Sequence, residues 1–278
     1  MPPEADAPPC PRRTFGETGV FLSAFTFGTM RLAERGFDEA GAADFAAWLF
    51  DRGVTSFHVS HEYESHPLAC AAIRGLRRRR PGARIEIVAK LASPHFDQTA
   101  FDADRARGIV EDLRRDLEAE RIDVVQWMAR HTPNEDAPRL AILERDAGAM
   151  EATWAALKAQ GKVGALSVFP YSDAFLRAAL DYPWIDGVVS YLNFQETEAA
   201  PYLDRLAAEG RGFCAIRPLN AGKLAADAEA AIAFPLLHPA TASVILTASS
   251  RERAATALRA VAGAHADAAA FHAALRPA

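Results

Sequence analysis

A chain of 278 residues, half of them hydrophobic, is long enough for one large domain or two small ones and for a sizeable core. Its net charge of −5 and pI near 5.9 argue against nucleic acid or an anionic membrane surface as partners, and no apolar run approaches a membrane span. The three cysteines, Cys10, Cys70 and Cys214, are odd in number and lack metal-site spacing, which points to a reduced, cytoplasmic compartment.

Met1 to Arg13 is Pro-rich, acidic and then basic, and has no apolar segment; it reads as a loose tail rather than a signal peptide, ahead of a single domain over 14–278. Phe15 to Ser23 reads as a hairpin around Gly16-Glu17-Thr18-Gly19, and Phe25 to Thr29 as the first strand. Ala40 to Arg52 is a predicted helix with Phe45, Trp48, Leu49 and Phe50 as apolar positions. Ser56 to Ser60 is a strand that places His58 on one face with Ser56 and Ser60, opposite Phe57 and Val59. A helical pattern through Leu68, Ala72 and Leu76 ends in Arg77 to Arg80, a solvated helix end, and Pro81-Gly82 stops it. Arg84 to Lys90 is the next strand, with Val88 and Lys90 on one face.

Further strands are predicted at Ile122 to Met128, Val163 to Phe169, Gly187 to Asn193, Gly212 to Ile216 and Ser243 to Thr247. Helices are predicted over 102–119, Ala149 to Gln160, Asp173 to Leu180, Pro201 to Ala208, Ala225 to Ala233 and Arg251 to Val261. Strand and helix alternate without a break in composition, which is the pattern of a closed (β/α)8 TIM barrel. In such a barrel His58, Tyr63 and Lys90 fall at neighbouring carboxyl ends of two parallel strands, where these folds keep their chemistry. A Tyr with a Lys beside it suits proton donation, because an ammonium stabilises a phenolate; an ordinary mouth Tyr and a solvated Lys would give the same spacing.

Several short stretches, in order, resemble the aldo-keto reductase family. They are Phe15-Gly16-Glu17-Thr18-Gly19, Phe27-Gly28-Thr29-Met30, Gly53-Val54-Thr55-Ser56-Phe57 and Arg121-Ile122-Asp123-Val124-Val125-Gln126. Leu157 to Val163, Tyr191-Leu192-Asn193 and Pro218-Leu219-Asn220-Ala221-Gly222-Lys223-Leu224 continue the likeness, which runs from Phe15 to about Val261. The resemblance implies carbonyl reduction with NADP(H) by an Asp, Tyr, Lys, His tetrad at the barrel mouth. Residue by residue, the Tyr position is Tyr63 and the Lys position Lys90, but the Asp position is His58 and the His position is Met128. A protonated His58 would repel Lys90, so His58 is expected to be neutral; Met128 neither donates a hydrogen bond nor holds a proton. His131, three residues on, is either a substitute or an exposed loop residue.

The resemblance implies cofactor contacts at Gly28, Thr29, Leu219 and Arg253. Other contacts are replaced: the positions that hold the nicotinamide carboxamide fall on Phe169-Pro170 and Val188, and the stacking ring falls on Ile216. The positions that grip the adenosine phosphate fall on Thr247 and Ala248, and an Asn position falls on Ala257. Several losses at one ligand imply weaker or different binding, or none.

Other groupings carry less. His58, His61, His66 and His131 could converge on a cation, but none shows the usual ligand spacing, so no metal is assigned. Trp127 and Trp184 suit either a pocket or the core. Arg217, at the seventh barrel strand's carboxyl end, suits either an anionic substrate or a rim salt bridge. Three functions stay open. One is a divergent NADP(H)-dependent enzyme acting on a small carbonyl or alcohol. Another is a cofactor-independent lyase, isomerase or dehydratase using Tyr63, Lys90 and His58. The third is a non-catalytic binding protein.

Overall fold

In the computed structural model of the chain, the described residues are 7–96, 98–130 and 135–275. A short antiparallel pair, β1 (Arg12–Thr14) and β2 (Phe21–Ser23), precedes eight strands that close into a parallel barrel. These are β3 (Phe25–Gly28), β4 (Ser56–Val59), β5 (Glu86–Ala92), β6 (Ile122–Met128), β7 (Val163–Val168), β8 (Gly187–Tyr191), β9 (Gly212–Ile216) and β10 (Thr241–Leu246). Each pairs with the next, and β10 pairs back onto β3.

Alternation along each strand divides the residues between two apolar layers. Ile87, Ala89, Val125, Trp127, Leu166 and Val168 face outward and pack with the helices. Val88, Val124, Ala165, Val189, Cys214 and Ala242 fill the lumen. The outer layer is completed by α1 (Glu39–Phe50), α2 (His66–Arg79), α3 (Ala103–Asp116), α4 (Asp136–Ala159), α5 (Asp173–Ala179), α6 (Leu203–Ala208), α7 (Ala228–Ala233), α8 (Arg251–Gly263) and α9 (Ala268–Ala274). Asp38, Asp102, Ser172, Ser250 and Asp267 cap the helices that follow them, each side chain accepting from a backbone N–H of the first turn.

The hairpin closes the amino-terminal end of the barrel. Phe15, fully buried, lies against the backbone of Gly187 and Gly212. A Cβ at Gly187 would stand 2.2 Å from the Gly212 carbonyl oxygen and 2.5 Å from the Phe15 ring, so side chains are excluded on both strands. Val20 and Leu22 join Phe15 in the lumen cluster.

Several predicted boundaries move. The hairpin strands begin at Arg12, so the boundary drawn after Arg13 falls inside β1, and Cys10 ahead of it is buried. Arg12 pairs with the buried Glu86, the first residue of β5, which then runs on to Ala92 rather than stopping at Lys90. Helix α4 starts at Asp136, not Ala149; Ile142 and Leu143 bury its first turns, and Gly148 inside the helix hides them in the sequence. The last predicted helix extends to Gly263, and α9, docked by Phe271, was not anticipated. The arginine run is not simply solvated: Arg79 pairs with Asp44 and Arg80 with Asp51. Trp127 faces outward and donates to Ser93 O at 2.7 Å, while Trp184 packs on Tyr182; neither lines the lumen.

No helix among the described residues is long and apolar enough to cross a membrane. All three cysteines are buried, and burial pushes their thiols up, to about 12 for Cys10 and about 11 for Cys70. A thiol reagent at pH 8 should therefore label none of them in the native protein and all of them in denaturant; fast native labelling would show that this packing is wrong.

Candidate functional site

The carboxyl ends of β4, β5 and β6 bring the candidate residues together. His58 projects into the lumen from β4, and the turn after it carries Glu62 and Tyr63. Lys90 on β5 is in register with Gln126 on β6. The Lys90 Nζ lies 5.0 Å from the centre of the Tyr63 ring, and the His58 and Tyr63 ring centres are 6.2 Å apart. Met128, the next lumen-facing residue of β6, packs with Phe169 and Ala92.

Burial sets the protonation of this group. His58 is pushed down to about 3, first by burial and then by Lys90, with its bond to Gln126 opposing. It is therefore neutral near pH 7, and its Nε2–H donates to Gln126 Oε1 at 2.8 Å. Lys90 is lowered to about 8 by burial and by Arg130, with Glu62 opposing. Burial raises the Tyr63 phenol well above its ordinary range, Arg130 draws it down and Glu62 pushes it up. Arg130 is thus the cation that lowers the Tyr63 phenol, while the Lys90 Nζ faces its ring.

Arg130 and Glu62 form a clamp across the mouth. The Arg130 guanidinium reaches Glu62 at 2.7 Å, and His95 Nε2 lies 3.2 Å from the same carboxylate. Sequence reasoning missed Glu62, Arg130 and Gln126 as site residues. The signal was period two: Gln126, Met128 and Arg130 follow one another at alternate positions along β6 and beyond its end.

The opposite side of the mouth is aromatic. Phe169 is buried and packs edge-on against Tyr171 at 4.9 Å and Tyr191 at 5.4 Å. Met128, Ala92 and Ile216 complete the cluster. Arg139 covers Tyr171 at 3.9 Å and Arg217 covers Tyr191 at 4.7 Å. Val188 does not belong to this wall: it faces outward, and the lumen-facing residue beside it is Val189, so the expected alignment on β8 is displaced by one residue.

Beyond β9 the chain turns sharply, with Arg217, Asn220 and Ala221 all at positive φ (56°, 42° and 55°). Such non-glycine conformations cost about 1–3 kcal/mol each and persist only where neighbours enforce them. Asn193 donates to Arg217 O at 3.0 Å, Asn220 donates to Gln195 Oε1 at 2.8 Å, and Arg217 pairs with Glu196 at 3.2 Å. Arg217 is therefore a rim salt bridge here, and Leu219 packs partly into the outer core. Next to this loop, Thr247 donates to Gly28 O at 2.8 Å, and Thr29 Oγ1 donates to His58 O at 2.9 Å. Arg253, in the first turn of α8, donates to Ser249 Oγ at 3.1 Å.

Among the described histidines, His95 joins the Glu62 clamp and His61 lies beside it in sequence. His66 lies against Asp116 and Cys70, and His131 lies outside the described residues. Elsewhere, Asp204 meets His238 and His272, each Nε2 at 3.1 Å from a carboxylate oxygen. There the Ala240 N–H donates to His238 Nδ1, so the proton of that ring sits on Nε2 and points at Asp204. A cation at Nε2 would have to displace it.

The family profile described as the Aldo/keto reductase family matches residues 24–230. Among solved structures, a Pseudomonas aeruginosa protein assigned as an aldo-keto reductase is 25% identical, with a TM-score of 0.71 over 91% of this chain and 94% of that one. The holo form of an aldo-keto reductase from Bacillus halodurans superposes with a TM-score of 0.76 over 96% of this chain and 95% of that one, at 17% identity. A search of curated proteins found no match. With the barrel closed as described and the profile spanning most of it, this chain belongs to the Aldo/keto reductase family.

Proposed function

We propose that the chain is an oxidoreductase acting on a small carbonyl or alcohol substrate with NADP(H), and that Tyr63 exchanges a proton with the substrate oxygen. The observation that carries this reading is the convergence of Tyr63, Lys90 and Arg130 at the barrel mouth. A carbonyl oxygen that gains negative charge takes a proton from the nearest acid. Tyr63, with its phenol raised by burial, keeps that proton at neutral pH until it is needed. The charge left on the phenol oxygen is then met by Arg130, with Lys90 at the ring face.

Family membership supports the redox reading, and so does one end of the cofactor site. Arg253 and Ser249, beside the amino terminus of α8, suit the adenosine phosphate of NADP(H). The nicotinamide end does not fit. Where the resemblance expects amide and hydroxyl partners, the buried Phe169 ring is wedged between two tyrosines, Pro170 has no N–H, and Val189 and Ile216 offer no polar atom. No hydride step is assigned to residues arranged in this way.

That mismatch favours a second reading, in which Tyr63 and Lys90 carry out proton transfer on a carbonyl compound without a redox partner. One titration separates the two. NADPH, followed by nicotinamide fluorescence, should bind saturably, and Arg253→Ala should weaken NADPH by roughly 10- to 100-fold, as expected for a charged contact, and NADH much less. Equal losses for both would remove Arg253 from the site. No binding at all would reject the redox reading in favour of proton transfer, read as deuterium uptake next to the carbonyl.

A further inference from the structure

Gln126 lies wholly inside the barrel, on the lumen face of β6 between Val124 and Met128. Its Oε1 is occupied by His58 at 2.8 Å, whereas its Nε2 is buried without a hydrogen-bond partner. An unpaired buried donor is costly, and a leucine of similar size would fill the same space without that penalty. Glu86 Oε2 and Trp154 Nε1, also orphaned, lie at the start of β5 and on α4, away from the mouth, whereas Glu62 Oε1 and His61 Nδ1 lie in the turn that follows β4. The Gln126 donor is at the level of the chemistry, in register with Lys90.

His58 fixes which way this amide points. The imidazole is buried and neutral, and a ring whose Nε2–H is given to Oε1 turns the NH2 group away from itself. Met128 stands one lumen position nearer the mouth, and its thioether, on three rotatable bonds, moves aside at little cost. The pair therefore keeps one hydrogen-bond donor, oriented but unspent, beneath a flexible cover.

From this geometry we infer that Gln126 Nε2 is the donor that binds the substrate's carbonyl oxygen next to Tyr63, and that His58 is its positioning residue. The chain thereby supplies a neutral hydrogen bond at a position where Met128 offers none. The ligand class follows: a carbonyl small enough to pass Met128, with its oxygen as the buried end. This inference rests on the proposed carbonyl reading of the same site.

The test uses the full chain with 15N-labelled glutamine side chains, the Gln126 NH2 signals being identified by their loss in Gln126→Leu. The probe is 4-nitroacetophenone, a ketone that does not condense readily with lysine. On titration the Gln126 signals should move downfield in the wild type, and affinity should fall about 2- to 10-fold in Gln126→Leu, as one neutral hydrogen bond predicts. His58→Leu should keep the fold, by circular dichroism, but reduce the ketone-induced shift of the amide by more than half. With any carbonyl substrate the wild type turns over, Gln126→Leu should lower kcat roughly 10²–10³-fold, well beyond the about 2- to 10-fold rise in KM that the lost ground-state bond predicts. Gln126 signals unmoved up to the solubility limit of the ketone would overturn the inference. A Tyr63→Phe variant with unchanged turnover, alongside a responding Gln126, would instead sink the carbonyl reading of Tyr63 and leave the amide site standing.

Discussion

Tyr63→Phe should lower turnover of a carbonyl substrate by about 10²–10⁴-fold, the usual worth of a positioned acid, while leaving the melting temperature nearly unchanged. The ring and its packing survive this change; the titrating hydroxyl does not. Lys90→Met should also lose activity, but for a different reason and with an opposite effect on stability. Lys90 is partly buried and its amine is lowered to about 8, against an ordinary value of 10.5. Between those two values the unfolded chain holds more protons than the folded one, so stability rises with pH across that window. Below about pH 8 the folded protein carries the cost of a charged, partly desolvated amine, at most roughly 3 kcal/mol from the size of the shift. Lys90→Met should thus stabilise the protein at pH 7, read as a higher urea midpoint, and the gain should shrink toward pH 10. If the ammonium form is the active one, wild-type turnover should decline as pH rises through about 8. A flat profile between pH 7 and 9, or a Tyr63→Phe variant with full activity, would remove this pair from the mechanism.

The largest stability effect is expected at the other end of the barrel. Phe15→Ala should destabilise the fold by about 3–5 kcal/mol, the range for deleting a fully buried aromatic ring. The cavity cannot collapse readily, because the walls facing the ring are strand backbone at Gly187 and Gly212 rather than mobile side chains. Gly187→Ala should be comparably harmful through overlap with that backbone. Urea titration of both variants checks this, and a loss below about 1 kcal/mol for Phe15→Ala would mean that the ring does not close the barrel.

The fold was legible because strand periodicity and helix stops repeat locally. Val88 and Lys90 on one face, or Val124, Gln126 and Met128 on one face, follow from alternation alone, and the structure keeps both sets in the lumen. The first turns of α4 were hidden because Gly148 falls inside the helix, where it leaves no trace beyond a small propensity cost. The convergence of Tyr63, Lys90 and His58 could also be anticipated, since adjacent parallel strands deliver their ends to one place. The charges that tune them could not. Arg130 reaches Glu62 through side-chain conformation, and no spacing rule reports a contact between residues 62 and 130. The slip from Val189 to Val188 has the same origin: a motif quoted by resemblance does not fix the register, and one residue exchanges the two faces of a strand.

The plug formed by Phe15, Val20 and Leu22 also governs traffic. With the lumen packed and its base closed, the residues at the carboxyl ends of the strands can be approached from one side only. On the proposed reading, a carbonyl that binds Gln126 enters past Met128 and leaves the same way. Product lingering at that entrance excludes new substrate, and its inhibition is then competitive by construction rather than by affinity.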